Sequence, residues 1–333
     1  MYFGFDDDQE GFRDAVASLL DAHCSPEVVR AAWSAAADGA GLDRDVWARL
    51  TEMGVPAMLV PAADDGLGLD ECAAVLVLEE AGRAGLPLPI VETVAVAPVL
   101  GLPVGDGTLV GTDLGGSNVA MAADVDLLIL HDVDAGALHV VPPDAVRLSA
   151  VTAVDRSRRL ARVAWDPSPS TFATDDPALV DLARWRGTFG TAAVLVGLAR
   201  RMLDMTVEYV TQRQQFGVAI GSFQAVKHLL ADVLRDLSFA RPVVHHAAWS
   251  PASGAPTPDR DVSMAKLMAS QAAVHAGRVA LQCHGAIGYT TEHDLHLYLK
   301  RADALAATWG DDAAHRARIG RTLGLHRTAG GGS

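Results

Sequence analysis

Cysteine is scarce: Cys24, Cys72 and Cys283 are the only three in 333 residues, far apart along the chain. An odd count without metal-type spacing rules out a disulfide scaffold and a cysteine-based zinc module. A reduced, cytoplasmic protein is the simplest expectation. Basic residues are outnumbered, 27 Lys and Arg against 41 Asp and Glu, and the net charge of −14 argues against a nucleic-acid surface. It does not exclude an anionic small molecule, because a few local arginines decide that. Long apolar runs are missing too. The best of them, TAAVLVGLA at 191–199, falls well short of the roughly 20 residues a membrane span needs. The chain opens on Asp6, Asp7 and Asp8 with no basic stretch leading into an apolar one, so no signal peptide is expected. Histidines such as His245, His246, His284, His293, His296 and His315 have no ligand spacing with a cysteine partner, so no metal is expected.

Apolar residues make up 50% of the chain, enough for one large unit or several packed subdomains. Residues 1–104 read as helical. Phe12, Val16, Leu19 and Leu20 share one face, and Trp47, Leu50 and Met53 another. Gly54 stops a helix before the punctuated stretch VPAMLVPAADDGLGLDE, and a later helix is expected to break at Pro87 and Pro89. Glu79, Glu80 and Arg83 read as a solvated or ion-paired helix face. Residues 105–170 change character: short β-prone runs alternate with Gly107, Gly136, Pro142 and Pro143, which predicts a small antiparallel β-unit. Helical pattern resumes over 171–328, with PASGAPTPD as an internal loop, and predicts a four-helix bundle. The final AGGGS, 329–333, reads as a flexible tail. The expected fold class is therefore mainly α with a small central β-domain.

The chain is organised around YVTQRQQFGVAIGSFQAVKHLLAD, 209–232. Arg213, Gln214 and Gln215 bunch at a tight connection between two helices, Phe216 offers an apolar anchor, and Gly217 and Gly221 supply the backbone freedom of a sharp turn. Ser222 is placed to cap the helix that carries Phe223, Val226, Leu230, Val233 and Leu237 on one face. A guanidinium, side-chain amides and free N–H groups at a helix N-terminus suit an anionic ligand. The plain alternative is an interhelical loop with a solvated arginine. A second segment, Gln282-Cys283-His284-Gly285-Ala286-Ile287-Gly288-Tyr289, puts flexible backbone beside an amide that can donate or accept.

These pieces resemble the acyl-CoA dehydrogenase family. The pattern R-x-x-F-G, I-G-x-F-Q-x-x-K and L-A-D is read at Arg213–Gly217, Ile220–Lys227 and Leu230–Asp232, and W-x-x-L-x-x-M-G, D-G-L-G-L, L-E-E-A-G-R and P-L-P precede it in family order. The resemblance implies an N-terminal helical domain, a β-domain and a C-terminal four-helix bundle. It also implies FAD, an acyl-CoA substrate, and an acceptor such as electron-transfer flavoprotein. In the family the arginine turn reaches across a subunit interface to a neighbour's FAD, with the Gln282-type segment on the dinucleotide half. Carried over residue by residue, the FAD contacts are Arg213, Gln215, Phe216, Gln224, Gln282, Gly285 and Ala286, the last standing where the family has glycine.

The departures from the family are specific. The T-E-x-x-x-G-S-D and W-I-T-N-G segments of a complete flavin-ring pocket are missing, and Gly115-Gly116-Ser117-Asn118 is the nearest approximation. The family's glutamate base occupies one of two positions, which fall here at Gly310 and Gln271. Neither side chain can take a proton α to a thioester. The resemblance therefore implies the non-catalytic subunit of a heteromeric α2β2 enzyme of the actinobacterial kind, sharing FAD with a catalytic partner, a bulky steroid acyl group being one substrate such an assembly admits. Two alternatives stay open: a self-sufficient homomer using Asp311 or Asp312, and a non-redox scaffold or acyl-CoA-binding protein.

Overall fold

The computed structural model describes residues 4–38 and 41–325; the expected tail, 329–333, lies outside them. The first helix, α1 (Asp7–His23), starts with a capping box in which Asp6 and Gln9 satisfy each other's backbone N–H, and it buries Val16 and Leu20. Then come α2 (Pro26–Asp38) and α3 (Asp45–Glu52), the latter burying Val46, Trp47 and Leu50. The next helix, α4 (Glu71–Ala84), is capped by Asp70 and buried along most of its length. It ends earlier than Pro87 would require. Gly85, at φ 68°, takes the left-handed position, and the Leu86 N–H returns 3.0 Å to the Ala81 carbonyl.

The β-unit has strands β1 (Val110–Thr112), β2 (Leu127–Asp132), β3 (Ala137–Val141), β4 (Arg147–Ala150), β5 (Ala161–Ala164) and β6 (Phe172–Thr174). One sheet runs β1-β2-β3-β6, and β4-β5 form a separate ribbon. The antiparallel expectation needs one correction: β1 and β2 are parallel. Residues 113–126 connect them, long enough for a crossover, whereas the tight turn between β2 and β3 permits a hairpin.

The remaining helices are α5 (Pro177–Gln212), α6 (Gln224–Ala252), α7 (Pro258–His284), α8 (Leu295–Ala306) and α9 (Asp312–Thr322), with β7 (Gln214–Gln215) and β8 (Val218–Ala219) between α5 and α6. The loop expected over PASGAPTPD is shorter, because α6 runs through Pro251 and α7 begins at Pro258. The chain is thus mainly helical around a small β-unit.

Three contacts join these parts. Where α4 crosses α5 the backbones nearly touch: a Cβ on Gly82 would lie 2.1 Å from the Val194 carbonyl oxygen, and one on Gly197 2.0 Å from that of Glu79. Glu79 itself is buried rather than solvated, and accepts from Arg241 Nε at 2.8 Å with His245 Nε2 at 2.6 Å, tying α4 to α6. Arg301 of α8 donates to the buried Asp155 carboxylate at 2.9 Å, to Ser157 Oγ and to the Gly85 and Leu86 carbonyls. One guanidinium so pins the β-unit, the end of α4 and the bundle together.

Candidate cofactor-contact site

The connection after α5 is a β-hairpin. Gln214 pairs with Ala219 and Gln215 with Val218, while Phe216 (φ 55°) and Gly217 (φ 82°) form the turn. Positive φ at both central residues is the geometry that matches strand twist in a two-residue hairpin. It is costly for a phenylalanine. Phe216 is also 93% exposed, touching little beyond the edge of Phe223, whose ring centroid is 6.3 Å away. The expected apolar anchor of the connection is therefore not made within the described residues.

Ser222 does not cap α6. It ends a turn of 3-10 helix, Ile220–Ser222, and its hydroxyl donates back to the Ala219 carbonyl at 2.7 Å. Phe223 takes the cap position, so among the described residues the leading N–H groups of α6 have no capping side chain. Arg213, Gln215 and Gln224 are exposed, and among the described residues their side chains bond to nothing. An unpaired guanidinium, two amides and an uncapped helix start therefore share one outward loop.

The second segment lies beside it. Tyr209, four residues before Arg213, stacks on His284 with ring centroids 4.3 Å apart, which joins the end of α5 to the end of α7. The His284 Nδ1 lies 2.7 Å from the Ala280 carbonyl and so carries the proton, leaving Nε2 buried without a partner among the described residues. Burial, with His293 near by, lowers the pKa of that ring. Gln282, Gly285 and Ala286 are all exposed. Gly285 is at φ 62° with open space where a Cβ would be, whereas a Cβ on Gly288 would press on His284 and Leu281. The exposed residues suit contact with a nucleotide; Gly288 serves packing.

The two base positions lie elsewhere. Gln271 is roughly 16 Å back along α7 from Gln282 at 1.5 Å per residue. Its Nε2 donates to Asp312 at 2.9 Å. Gly310 (φ 101°) follows α8, and a Cβ there would meet His315 Nε2 at 2.9 Å. Asp311 caps α9 by accepting from the Ala314 N–H at 2.8 Å. Both aspartates are thus engaged in holding the loop. Lys266, fully buried, donates to Ser270 Oγ and the Ala306 and Gly310 carbonyls, and burial lowers its pKa to about 7. His315, 1% exposed, is pushed down to about 4 by burial, with Lys266 and Arg318 adding to the effect and the Gly310 and Trp309 backbone opposing it.

One interior carboxylate escaped the sequence reading. Glu92, a lone acid in the apolar run PIVETVAVAP, lines a cavity of about 50 Å³ together with Arg158, Met121 and Leu305. Burial raises its pKa, with the Arg158 guanidinium acting against that rise. The cavity holds at most a few water molecules, not an acyl thioester. Tyr209, Lys266, Trp309 and His315 were missed for a different reason: no pattern in the chain marks which distant residues they meet.

Two family descriptions match the chain: the acyl-CoA dehydrogenase N-terminal domain over residues 6–103 and the C-terminal domain over 185–324. The acyl-CoA dehydrogenase IpdE2 of Mycolicibacterium smegmatis is 35% identical over 315 residues, 91% of this chain and 95% of that protein. The chain belongs to the acyl-CoA dehydrogenase family. Two solved structures carry the family fold on the same scale. A chain of the ChsE4-ChsE5 complex from Mycobacterium tuberculosis superposes with a TM-score of 0.86 at 23% identity, covering 98% of this chain and 100% of that one. A chain of the Tcur3481-Tcur3483 steroid ACAD gives 0.86 at 22%, covering 96% and 98%. The family fold implies FAD, and the chain's residues fit its two ends unequally. The outward loop offers unpaired donors suited to phosphates and a nucleotide, whereas the interior beside Gly310 is filled by protein.

Proposed function

We propose that this chain is the non-catalytic subunit of a heteromeric, FAD-dependent acyl-CoA dehydrogenase, holding the dinucleotide half of a cofactor whose ring lies against a catalytic partner. The observation that carries the reading is the pair of base positions: Gly310 has no side chain, and Gln271 is an amide bonded to Asp312. Dehydrogenation of an acyl-CoA needs a carboxylate to remove the α proton. FAD, when bound, accepts the hydride from the β carbon. The work left to this chain is binding and orientation. Arg213 pairs with a phosphate, Gln215 and Gln224 donate beside it at the start of α6, and Phe216 packs against the partner. Gln282 meets an adenine or ribose edge, while Gly285 and Ala286 admit close backbone approach.

In this reading residues 1–104, 105–170 and 171–328 are the helical, β and bundle domains of the subunit. The assembly is an α2β2 tetramer working in the cytoplasm, and electron-transfer flavoprotein or a similar acceptor reoxidises the flavin. The fold neighbours include a complex of two differently named chains and a steroid ACAD, which supports a heteromer and a bulky acyl group. A homomer using Asp311 or Asp312 is disfavoured because one caps α9 and the other is bonded to Gln271. A scaffold or acyl-CoA-binding protein without redox chemistry is separated from this reading by flavin content.

The test is expression of the full chain alone and together with a catalytic acyl-CoA dehydrogenase subunit from its own host. The lone chain is expected to be nearly colourless and the co-purified complex yellow, with equal amounts of the two subunits. Stoichiometric FAD in the lone chain would favour the homomer; a complex without flavin would favour the scaffold.

A further inference from the structure

In a family member with its own base, the flavin ring must lie within reach of position 310, since one substrate gives up a proton and a hydride at adjacent carbons. In this chain that neighbourhood is occupied by Trp309. Its indole is 5% exposed and sits in a cluster with Val180 and Ala183 of α5 and with Val110, Ile129 and Leu138 of the sheet, between bundle and β-unit. Two glycines make the space. A Cβ on Gly187 would lie 2.2 Å from the indole Cη2, and one on Gly115 2.9 Å from Nε1. The Trp309 N–H donates to the Gly115 carbonyl at 2.7 Å, so the loop after α8 is laced to the very Gly-Gly-Ser-Asn stretch that approximates the missing ring-pocket motif.

The seat is not a comfortable one. Trp309 has φ 59°, a left-handed conformation rare for a bulky residue, and its Nε1 is buried without an acceptor among the described residues. Both are unfavourable features that persist only where surrounding packing imposes them. On the other side of Gly310 the ring of His315 fills the volume a base side chain would enter, and Lys266 holds the Gly310 carbonyl in place.

We propose that Trp309 is a built-in occupant of this chain's own flavin-ring site, closing it so that the chain engages FAD only through its outward hairpin, the start of α6 and the Gln282–Ala286 segment. The naming of the space as a ring site rests on the function proposed above, whereas the closure itself is a property of the lone chain and is tested on it.

Full-length W309G is the first variant, because glycine suits the positive φ and leaves the Gly115 hydrogen bond intact. Two probes are titrated into the lone chain: indole, which matches the deleted ring, and lumiflavin, an isoalloxazine without a nucleotide. W309G is expected to bind indole saturably and to take up lumiflavin about tenfold or more tighter than the wild-type chain, read by flavin fluorescence. Equal lumiflavin affinity in the two proteins overturns the proposal. Uptake of indole without lumiflavin overturns it as well, since Trp309 is then ordinary packing. If W309G does not fold, Gly187→Ala attacks the same seat from α5. Its Cβ cannot coexist with the indole where the ring now lies, so the ring must shift; enhanced lumiflavin uptake by that variant supports the closure and wild-type behaviour refutes it. A failed partner pull-down with these results intact rejects the heteromer and leaves the closed site standing.

Discussion

Arg213→Ala separates a cofactor contact from a structural arginine more cleanly than any other change. The guanidinium is exposed and among the described residues has no hydrogen bond or ion pair, so the fold loses nothing that it supplies. The turn depends on backbone instead, with the Arg213 N–H on the Tyr209 carbonyl at 2.9 Å and the Ile220 N–H on the Arg213 carbonyl at 2.8 Å, and alanine keeps both. Stability should therefore stay within about 0.5 kcal/mol of wild type. In the complex the same change removes a charge-assisted contact worth about 1.5–3 kcal/mol, which weakens FAD binding roughly 10- to 150-fold. The assay is FAD release from the co-purified complex, followed by the rise of free-flavin fluorescence on dilution, beside a thermal melt of the lone chain. Arg213→Lys keeps the charge and loses the fork, and should fall between the two. An FAD affinity within twofold of wild type in R213A would falsify the assigned role. A large drop in the melting temperature of the lone chain would show that the arginine serves the fold.

Three other predictions concern what joins the parts. Asp155→Ala leaves the buried Arg301 guanidinium without its carboxylate partner and should cost about 3–5 kcal/mol in chemical denaturation; a loss under about 1 kcal/mol contradicts the clamp. Gly197→Ala gains about 1 kcal/mol of helix propensity. The new Cβ, however, would lie 2.0 Å from the Glu79 carbonyl and 2.6 Å from the Arg83 nitrogen, so a net loss of stability is expected, and a raised melting temperature would show the α4–α5 crossing to be looser. The third concerns pH. His315 titrates near 4 in the fold and near 6.5 once unfolded, so between those values only the unfolded chain takes up the proton. Stability should fall as pH drops through that window, by about 3 kcal/mol when complete at 1.36 kcal/mol per pH unit. His315→Gln should flatten that part of the pH profile, and an unchanged slope would place the acid sensitivity elsewhere.

The order of W-x-x-L-x-x-M-G, the arginine turn and the Gln282 segment carried the resemblance to the family and with it the expected fold, and Gly217 and Gly221 marked a tight turn, although not that the turn is a β-hairpin. That the two positions aligned with the family's base hold glycine and glutamine was equally legible, and neither side chain titrates in any conformation. What lay beyond the sequence depends on which distant residues meet. The parallel pairing of β1 with β2 follows from a crossover path, and the early stop of α4 from Gly85 taking a left-handed conformation ahead of the prolines. Glu79 looks like a surface acid until α6 brings Arg241 and His245 to it. Ser222 looks like a cap until its hydroxyl turns back to Ala219. Trp309, Gly115 and Gly187 are unremarkable residues scattered along the chain, and only tertiary packing makes two of them the walls of a slot that the third fills. Periodicity records which face of an element is apolar; it carries no record of what that face is pressed against.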